Sequence, residues 1–340
     1  MEAESRIKNQ ELRIETPVIA IIGPTSSGKS DLAIKLAKKF NGVIISADSR
    51  QIYRGLDICT GKITKKEQKM VKHHCLDIVA PPKRWRGGVQ PFTLADYRTC
   101  ADRAIQDIRS RGHVPFIVGG THLYVRAVLY DYDIPSVPPN HEYRMRLEKK
   151  SLAALQRQLY KIDPAMRVWK DRDNKRRVLR ALEIYRATKR KPSLVYSNPT
   201  LRPRYNALQL CVDVPRETLY KRIDKRVDDR IKGGMIREVE RLRERGVSKQ
   251  WLRSLGLECR FISNYLDGKK TKKRKDDMIE RLKFAIHHYA RRQLTWYRKQ
   301  NDITYVTSYS SAQNNIKLFL TSIGTGSPRP KGRASYPSAG

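Results

Sequence analysis

Residues Gly23, Pro24, Thr25, Ser26, Ser27, Gly28, Lys29 and Ser30 have the types and spacing of a phosphate-binding loop. Such a loop turns backbone N–H groups and the positive end of the following helix toward a phosphate. Lys29 would reach the terminal phosphate, and Ser30 would offer its hydroxyl to a Mg²⁺ ion. This chemistry suits a nucleotide-binding kinase, an NTPase, or a transferase whose leaving group is a phosphate. Two other segments end in residues able to do chemistry. One is Asp48 with Ser49, Arg50 and Gln51; the other is Gly119-Gly120-Thr121. Asp48 could serve as a base, as a partner to the water or residue ligands of a Mg²⁺ ion, or as a turn or cap residue. Thr121 could contact a ligand or cap the helix starting near His122.

Parallel strands with helical crossovers would bring these three segments to one edge. The run Val18–Ile22 is apolar and β-branched, as a buried parallel strand should be. Leu32, Leu36 and Phe40 then recur at helical spacing. Val43–Asp48, Cys75–Val79 and Val114–Val118 read as further strands, and Thr93–Arg111 as a helix ended by Gly112. Ligands in such sheets bind outside the carboxyl ends of the strands. Ile134–Asn140 reads as a proline-rich linker, and His141–Lys191 as helical and basic with no strand signal. The strand pattern returns at Leu208–Asp213. Two long helices, about 216–245 and 276–299, follow, with a last strand near Ile303–Val306.

The expected fold is therefore α/β: a P-loop NTPase-like parallel sheet flanked by helices, with an inserted helical subdomain. The expected layout is a tail at 1–15, a core at 16–130 and 205–310, an insertion at 131–204, and a disordered tail at 321–340 rich in Gly, Ser and Pro.

Charge points to a second partner. Lys and Arg total 71 against 34 Asp and Glu, a formal net charge of +37. A field of that size attracts polyanions, nucleic acid first. Arg177 and Arg180 share a helical face beside Arg176, as either a nucleic-acid grip or a solvated surface. The 222–229 segment, including Arg226, reads as a charge-laced amphipathic helix. No apolar run approaches the ~18 residues of a membrane span. Glu2, Glu4, Glu11 and Glu15 suit neither a secretory signal nor an organelle presequence, so a cytoplasmic location is expected. The five cysteines are scattered without a C-x-x-C pair, which fits reduced thiols. His73-His74-Cys75 is the only cluster resembling metal ligands, and adjacent residues seldom face one ion together.

The ordered motifs resemble those of the tRNA dimethylallyltransferases, also called tRNA isopentenyltransferases. They are the 23–30 loop, Ser46–Ile58, His73-His74, Val118–Tyr124, Arg176–Glu183, Leu219–Val227 and Tyr289–Arg298. The resemblance covers all but the two tails and is closer to the bacterial type, since the zinc-finger extension of some eukaryotic members is not seen. It implies transfer of a dimethylallyl group from dimethylallyl diphosphate to the N6 amine of the adenosine beside a tRNA anticodon, with Mg²⁺ as cofactor. The chain would act as a monomer. It further implies that Asp48 is the base or acceptor for the adenine amine, and that Thr25 and Arg226 steady the bridging oxygen and diphosphate. Ser49, Arg50 and Gln51 would meet adenosine and the anticodon loop. Thr121, Arg144, Arg176, Arg177 and Arg180 would contact tRNA. The chain departs from the family pattern at His122, where Gly is usual, and at Cys59 and Gly61, where Gly and Ala are usual. Leu255–Arg260 is a loose version of another family segment. Rival readings are a prenyltransferase of free adenine nucleotides, a small-molecule kinase, and an inactive RNA-binding relative.

Overall fold

The computed structural model describes residues 16–85, 92–131, 137, 140–196 and 202–324. The 1–15 tail and most of the 134–140 linker lie outside the described residues. In chain order the elements are β1 (Pro17–Ile22), α1 (Lys29–Lys39), β2 (Gly42–Ser46), α2 (Lys65–Met70), β3 (His73–His74), α3 (Leu94–Ser110), β4 (Val114–Gly119) and α4 (His122–Leu129). Then come α5 (His141–Glu148), α6 (Leu152–Ile162), a 3₁₀ turn (Pro164–Val168), α7 (Lys175–Thr188) and α8 (Pro192–Tyr196). The chain continues through β5 (Asn206–Val212), α9 (Arg216–Lys232), α10 (Met235–Glu244), α11 (Lys249–Leu255) and α12 (Leu257–Leu266). It closes with α13 (Lys272–Tyr297), β6 (Thr304–Val306) and α14 (Tyr309–Gly324).

The six strands form one sheet in the order β3-β2-β4-β1-β5-β6, and every pairing is parallel. A parallel sheet must be covered on both faces, and β1 shows how one strand serves two cores. Ile19 and Ile21 enter one apolar cluster; Val18, Ala20 and Ile22 enter the other. The first cluster takes the Leu36 and Ala37 stripe of α1 together with α9 to α14. The second takes Tyr97, Ala101 and Ile105 of α3 and Val125 of α4. Helices α5 to α7 enclose a third cluster around Leu147, Leu155, Leu159 and Leu182.

Three of the expectations differ from the structure. The third strand is His73–His74, pairing with Ile44 and Ile45; Cys75–Val79 keeps only a bridge between Val79 and Tyr53. Positive φ at Cys75 and Asp77 (60° and 54°) turns that segment out of the sheet despite its apolar residues. The expected 216–245 helix is two helices, broken where Gly234 takes φ 94°. The helix α14 was not anticipated. Its Ala312, Ile316 and Phe319 stripe is buried against the core, which corrects the disordered reading for residues 321–324. The rest of that expected tail lies outside the described residues.

Candidate active site

The loop leaves β1 at Ile22 and enters α1 at Lys29. Gly28 stands at the helix N-cap in the left-handed region (φ 87°), a conformation that favours Gly and frees the first-turn amides. Ser26 also has positive φ (62°). The Ser27 hydroxyl is buried and has no hydrogen-bond partner among the described residues. The Thr25 and Ser27 amides are already paired, with Gln293 and the Pro24 carbonyl, so the helix start at Lys29 and Ser30 is the part of the loop that suits an anion.

The loop, the end of β2 and the end of β4 line one cavity of about 230 Å³. Of the residues singled out from the sequence, Thr25, Lys29, Ser30 and Arg226 line it. So do Asp48, Ser49, Arg50, Gln51 and Thr121. Burial and then Arg226 pull the Lys29 ammonium down to about pKa 8, against the opposing pull of Asp48. Burial also lowers Arg226. These cations are held together without full compensation, so the site is built to receive negative charge.

Asp48 lies two residues beyond β2. Its Oδ1 accepts the Arg50 backbone N–H at 2.9 Å, a two-residue turn that fixes the carboxylate within the cavity. Thr121 is the N-cap of α4, but its side chain caps nothing there. Its Oγ1 instead accepts the Ser49 amide at 3.4 Å and ties the β2 and β4 loops together. Gln51 donates to the Gly61 carbonyl at 3.2 Å.

Helices distant in sequence supply groups that the sequence reading missed. Glu258 of α12 accepts Arg50 Nη1 at 2.7 Å and faces Arg230 of α9 at 3.6 Å. Burial works to raise the Glu258 carboxyl, but Arg50 and Arg230 outweigh it and hold it below the usual range. Glu258 in turn raises Arg50 strongly. Burial and Arg226 draw Arg230 down to about 10. Gly61 is what admits these guanidinium groups: a Cβ there would stand 1.4 Å from Arg230 Nη2. Tyr289 and Gln293 of α13 complete the wall. Gln293 accepts the Thr25 amide at 3.0 Å and donates to the Gly120 carbonyl at 2.9 Å.

His122 is stacked on Trp296, with ring centroids 4.0 Å apart, and does not line the cavity. Burial, then Arg126 and Arg177, push it down to about 4, so its ring is neutral at physiological pH. The insertion arginines also stand apart from the cavity. Arg144 makes a two-point ion pair with buried Glu183 (Nε–Oε1 2.7 Å, Nη2–Oε2 2.5 Å). Arg180 donates to the Val137 carbonyl at 3.0 Å and lies 3.5 Å from Glu183. Arg177 pairs with Asp171, and Arg176 is exposed.

No group of three or more His, Cys, Asp or Glu side chains able to hold a metal occurs among the described residues. The donor set beside the loop is instead the Ser30 hydroxyl with the Asp48 carboxylate across the cavity. That suits a hard cation bound mostly by ligand phosphate and water oxygens.

The sequence of residues 51–300 matches the family model for IPP transferase, and residues 16–78 match that for isopentenyl transferase. The chain belongs to the IPP transferase family. Within it, a tRNA dimethylallyltransferase of Roseiflexus sp. is 42% identical over 287 residues, spanning 83% of this chain and 90% of that protein. Among solved structures, a tRNA isopentenylpyrophosphate transferase of Bacillus halodurans is similar with a TM-score of 0.65 at 34% identity. That match covers 92% of this chain and 98% of the other. A eukaryotic dimethylallyltransferase acting on tRNA is similar with a TM-score of 0.77 at 28% identity, covering 94% and 82%. Membership of this family, together with the sheet order, agrees with the P-loop-like α/β fold expected from the sequence. Among the described residues no helix is long and apolar enough to cross a membrane.

Proposed function

We propose that this chain transfers a dimethylallyl group from dimethylallyl diphosphate to the N6 amine of the adenosine next to the tRNA anticodon, releasing diphosphate. The observation that carries this reading is the composition of the cavity. One cavity brings together cations from the loop and α9, the Asp48 carboxylate beside Arg50, and apolar side chains such as Ile44, Val118, Leu255 and Ile286.

The amides at the start of α1, with Lys29 and Arg226, bind the diphosphate and stabilise the charge that grows on it as the carbon–oxygen bond breaks. Thr25, oriented through Gln293, steadies the bridging oxygen. Ser30 would hold Mg²⁺, which supplies further charge neutralisation at the leaving group. Asp48 orients the exocyclic amine, a weak nucleophile, and takes its proton. Ser49, Arg50, Gln51 and Thr121 position the extruded base. The insertion, with Arg176, Arg177 and Arg180, holds the tRNA backbone. Arg144 acts there indirectly, by fixing Glu183. The chain works as a monomer in the cytoplasm. Labelled dimethylallyl diphosphate offered with tRNA and, separately, with AMP tests the reading. Label should pass to tRNA alone. Transfer to AMP, or to neither, would reject it.

A further inference from the structure

The fold brings four of the five cysteines into two close pairs. Cys59 and Cys259 are both buried, with sulfurs 2.6 Å apart. Cys75 and Cys100 lie 3.0 Å apart, and this pair is asymmetric: Cys75 is 3% exposed, whereas Cys100 on α3 is half-buried and reaches solvent. The left-handed turn at Cys75, directly after β3, brings its sulfur against α3.

We propose that Cys75 and Cys100 form a thiol–disulfide exchange site for a low-molecular-weight disulfide, Cys100 attacking and Cys75 resolving. An accessible nucleophile backed by a buried resolving thiol is the arrangement that reversible exchange requires. The hydrogen bond from Cys75, with help from Arg103 and against the effect of burial, brings Cys100 down to about pKa 7. Cys75 is pushed up by its bond to Cys100 and by burial, so it stays a thiol until Cys100 has attacked; in the second pair both sulfurs are buried, and neither is accessible to attack a disulfide from solvent.

The chemistry balances in two steps. The Cys100 thiolate attacks one sulfur of R–S–S–R, forming Cys100–S–S–R and expelling RS⁻. The Cys75 sulfur then attacks Cys100 Sγ, its proton passing to the second departing thiolate. Two protein thiols are oxidised by two electrons, and R–S–S–R is reduced to two R–SH. The closed bond straps the segment after β3 to α3. That segment carries Asp77, which donates its amide to the Gln51 carbonyl at 3.3 Å and pairs with Lys62 at 2.5 Å, and it follows β3, whose His73 lines the cavity. The strap therefore borders the candidate active site without using any of its groups.

Incubating the full chain with oxidised glutathione, alkylating residual thiols and mapping peptides by mass spectrometry tests this. Wild type should lose two of its five free thiols and yield a Cys75–Cys100 cross-linked peptide that dithiothreitol releases. Cys75→Ser should instead accumulate glutathione on Cys100, and Cys100→Ser should leave Cys75 unmodified. Wild-type protein in which Cys75 and Cys100 stay alkylatable would overturn the proposal, as would a Cys59–Cys259 link formed in their place.

Discussion

Gln293 accepts the backbone N–H of Thr25 at 3.0 Å, joining α13 to the phosphate loop across 268 positions of sequence. The same amide group donates to Gly120. Together with the Tyr297 hydroxyl, 3.5 Å from the Gly23 carbonyl and 3.4 Å from that of Gly120, this buried side chain ties the loop to the end of β4, two walls of the cavity.

Replacing Gln293 by Leu should leave the Thr25 N–H unpaired, while the Gly120 carbonyl keeps the Tyr297 hydroxyl at 3.4 Å. An unpaired group costs about 1–3 kcal/mol, so denaturant unfolding should show a loss of that order. Turnover should fall by ~10² through misplacement of Thr25. Unchanged single-turnover rates would mean that the loop holds its shape without this bridge.

Lys29→Met should lower kcat/KM by ~10² or more, by removing charge stabilisation at the leaving group. Its effect on stability has the opposite sign. The folded pKa of about 8 lies below the ordinary 10.5. Between those values the unfolded chain holds a proton that the folded chain has shed, so wild-type stability rises with pH through that window. At pH 7 the substitution should therefore stabilise the ligand-free protein. Denaturation of both proteins from pH 7 to 10 should show that advantage shrinking.

Asp48→Asn separates a base from a metal partner. As a base substitution it should keep Mg²⁺–diphosphate binding and lose turnover by ~10² to 10⁴. Single-turnover transfer across a Mg²⁺ titration is the measurement. Rescue at high Mg²⁺ would reassign Asp48 to the metal.

The insertion arginines should divide by behaviour. Arg176→Ala and Arg177→Ala should weaken tRNA binding and each reduce the salt slope by ~1, leaving dimethylallyl diphosphate binding intact. Arg144→Ala should act on stability, since it removes the two-point partner of the Glu183 carboxylate, whose side chain is 1% exposed, and leaves it only the longer contact with Arg180 at 3.5 Å. Losing one partner of a buried pair costs about 3–5 kcal/mol. Calorimetry and filter binding on the three variants would expose any exchange of these roles.

Groups on continuous strand–turn–helix segments were legible in the sequence: the 23–30 loop, Asp48 after β2 and Thr121 after β4. Their chemistry is local, so spacing reveals it. Glu258, Arg230, Tyr289 and Gln293 were not singled out, because each sits on an amphipathic helix and gains meaning only from a partner far along the chain. Arg230 adjoins a charge-laced pattern that ordinarily marks a solvated face, and the admission of its guanidinium depends on Gly61. The third strand was misplaced because Val79 and its neighbours look more strand-like than a pair of histidines. Nothing in residue type announced the left-handed turns at Cys75 and Asp77. The cysteine pairs were equally hidden, since sequence spacing says nothing of which sulfurs meet.

The sheet order also dictates when this protein becomes competent during its own synthesis. β1, the strand that launches the phosphate loop, is flanked by β4 on one side and by β5 on the other. β5 is made only after the helices at 141–196, and the helix carrying Gln293 later still. A ribosome that has delivered the loop, Asp48 and Thr121 has thus delivered a half-sheet with β1 as an open edge and Thr25 unanchored. Until β5 arrives, that edge needs protection from other chains. The cavity that the loop, Asp48 and Thr121 begin is closed only when α13 brings Tyr289 and Gln293.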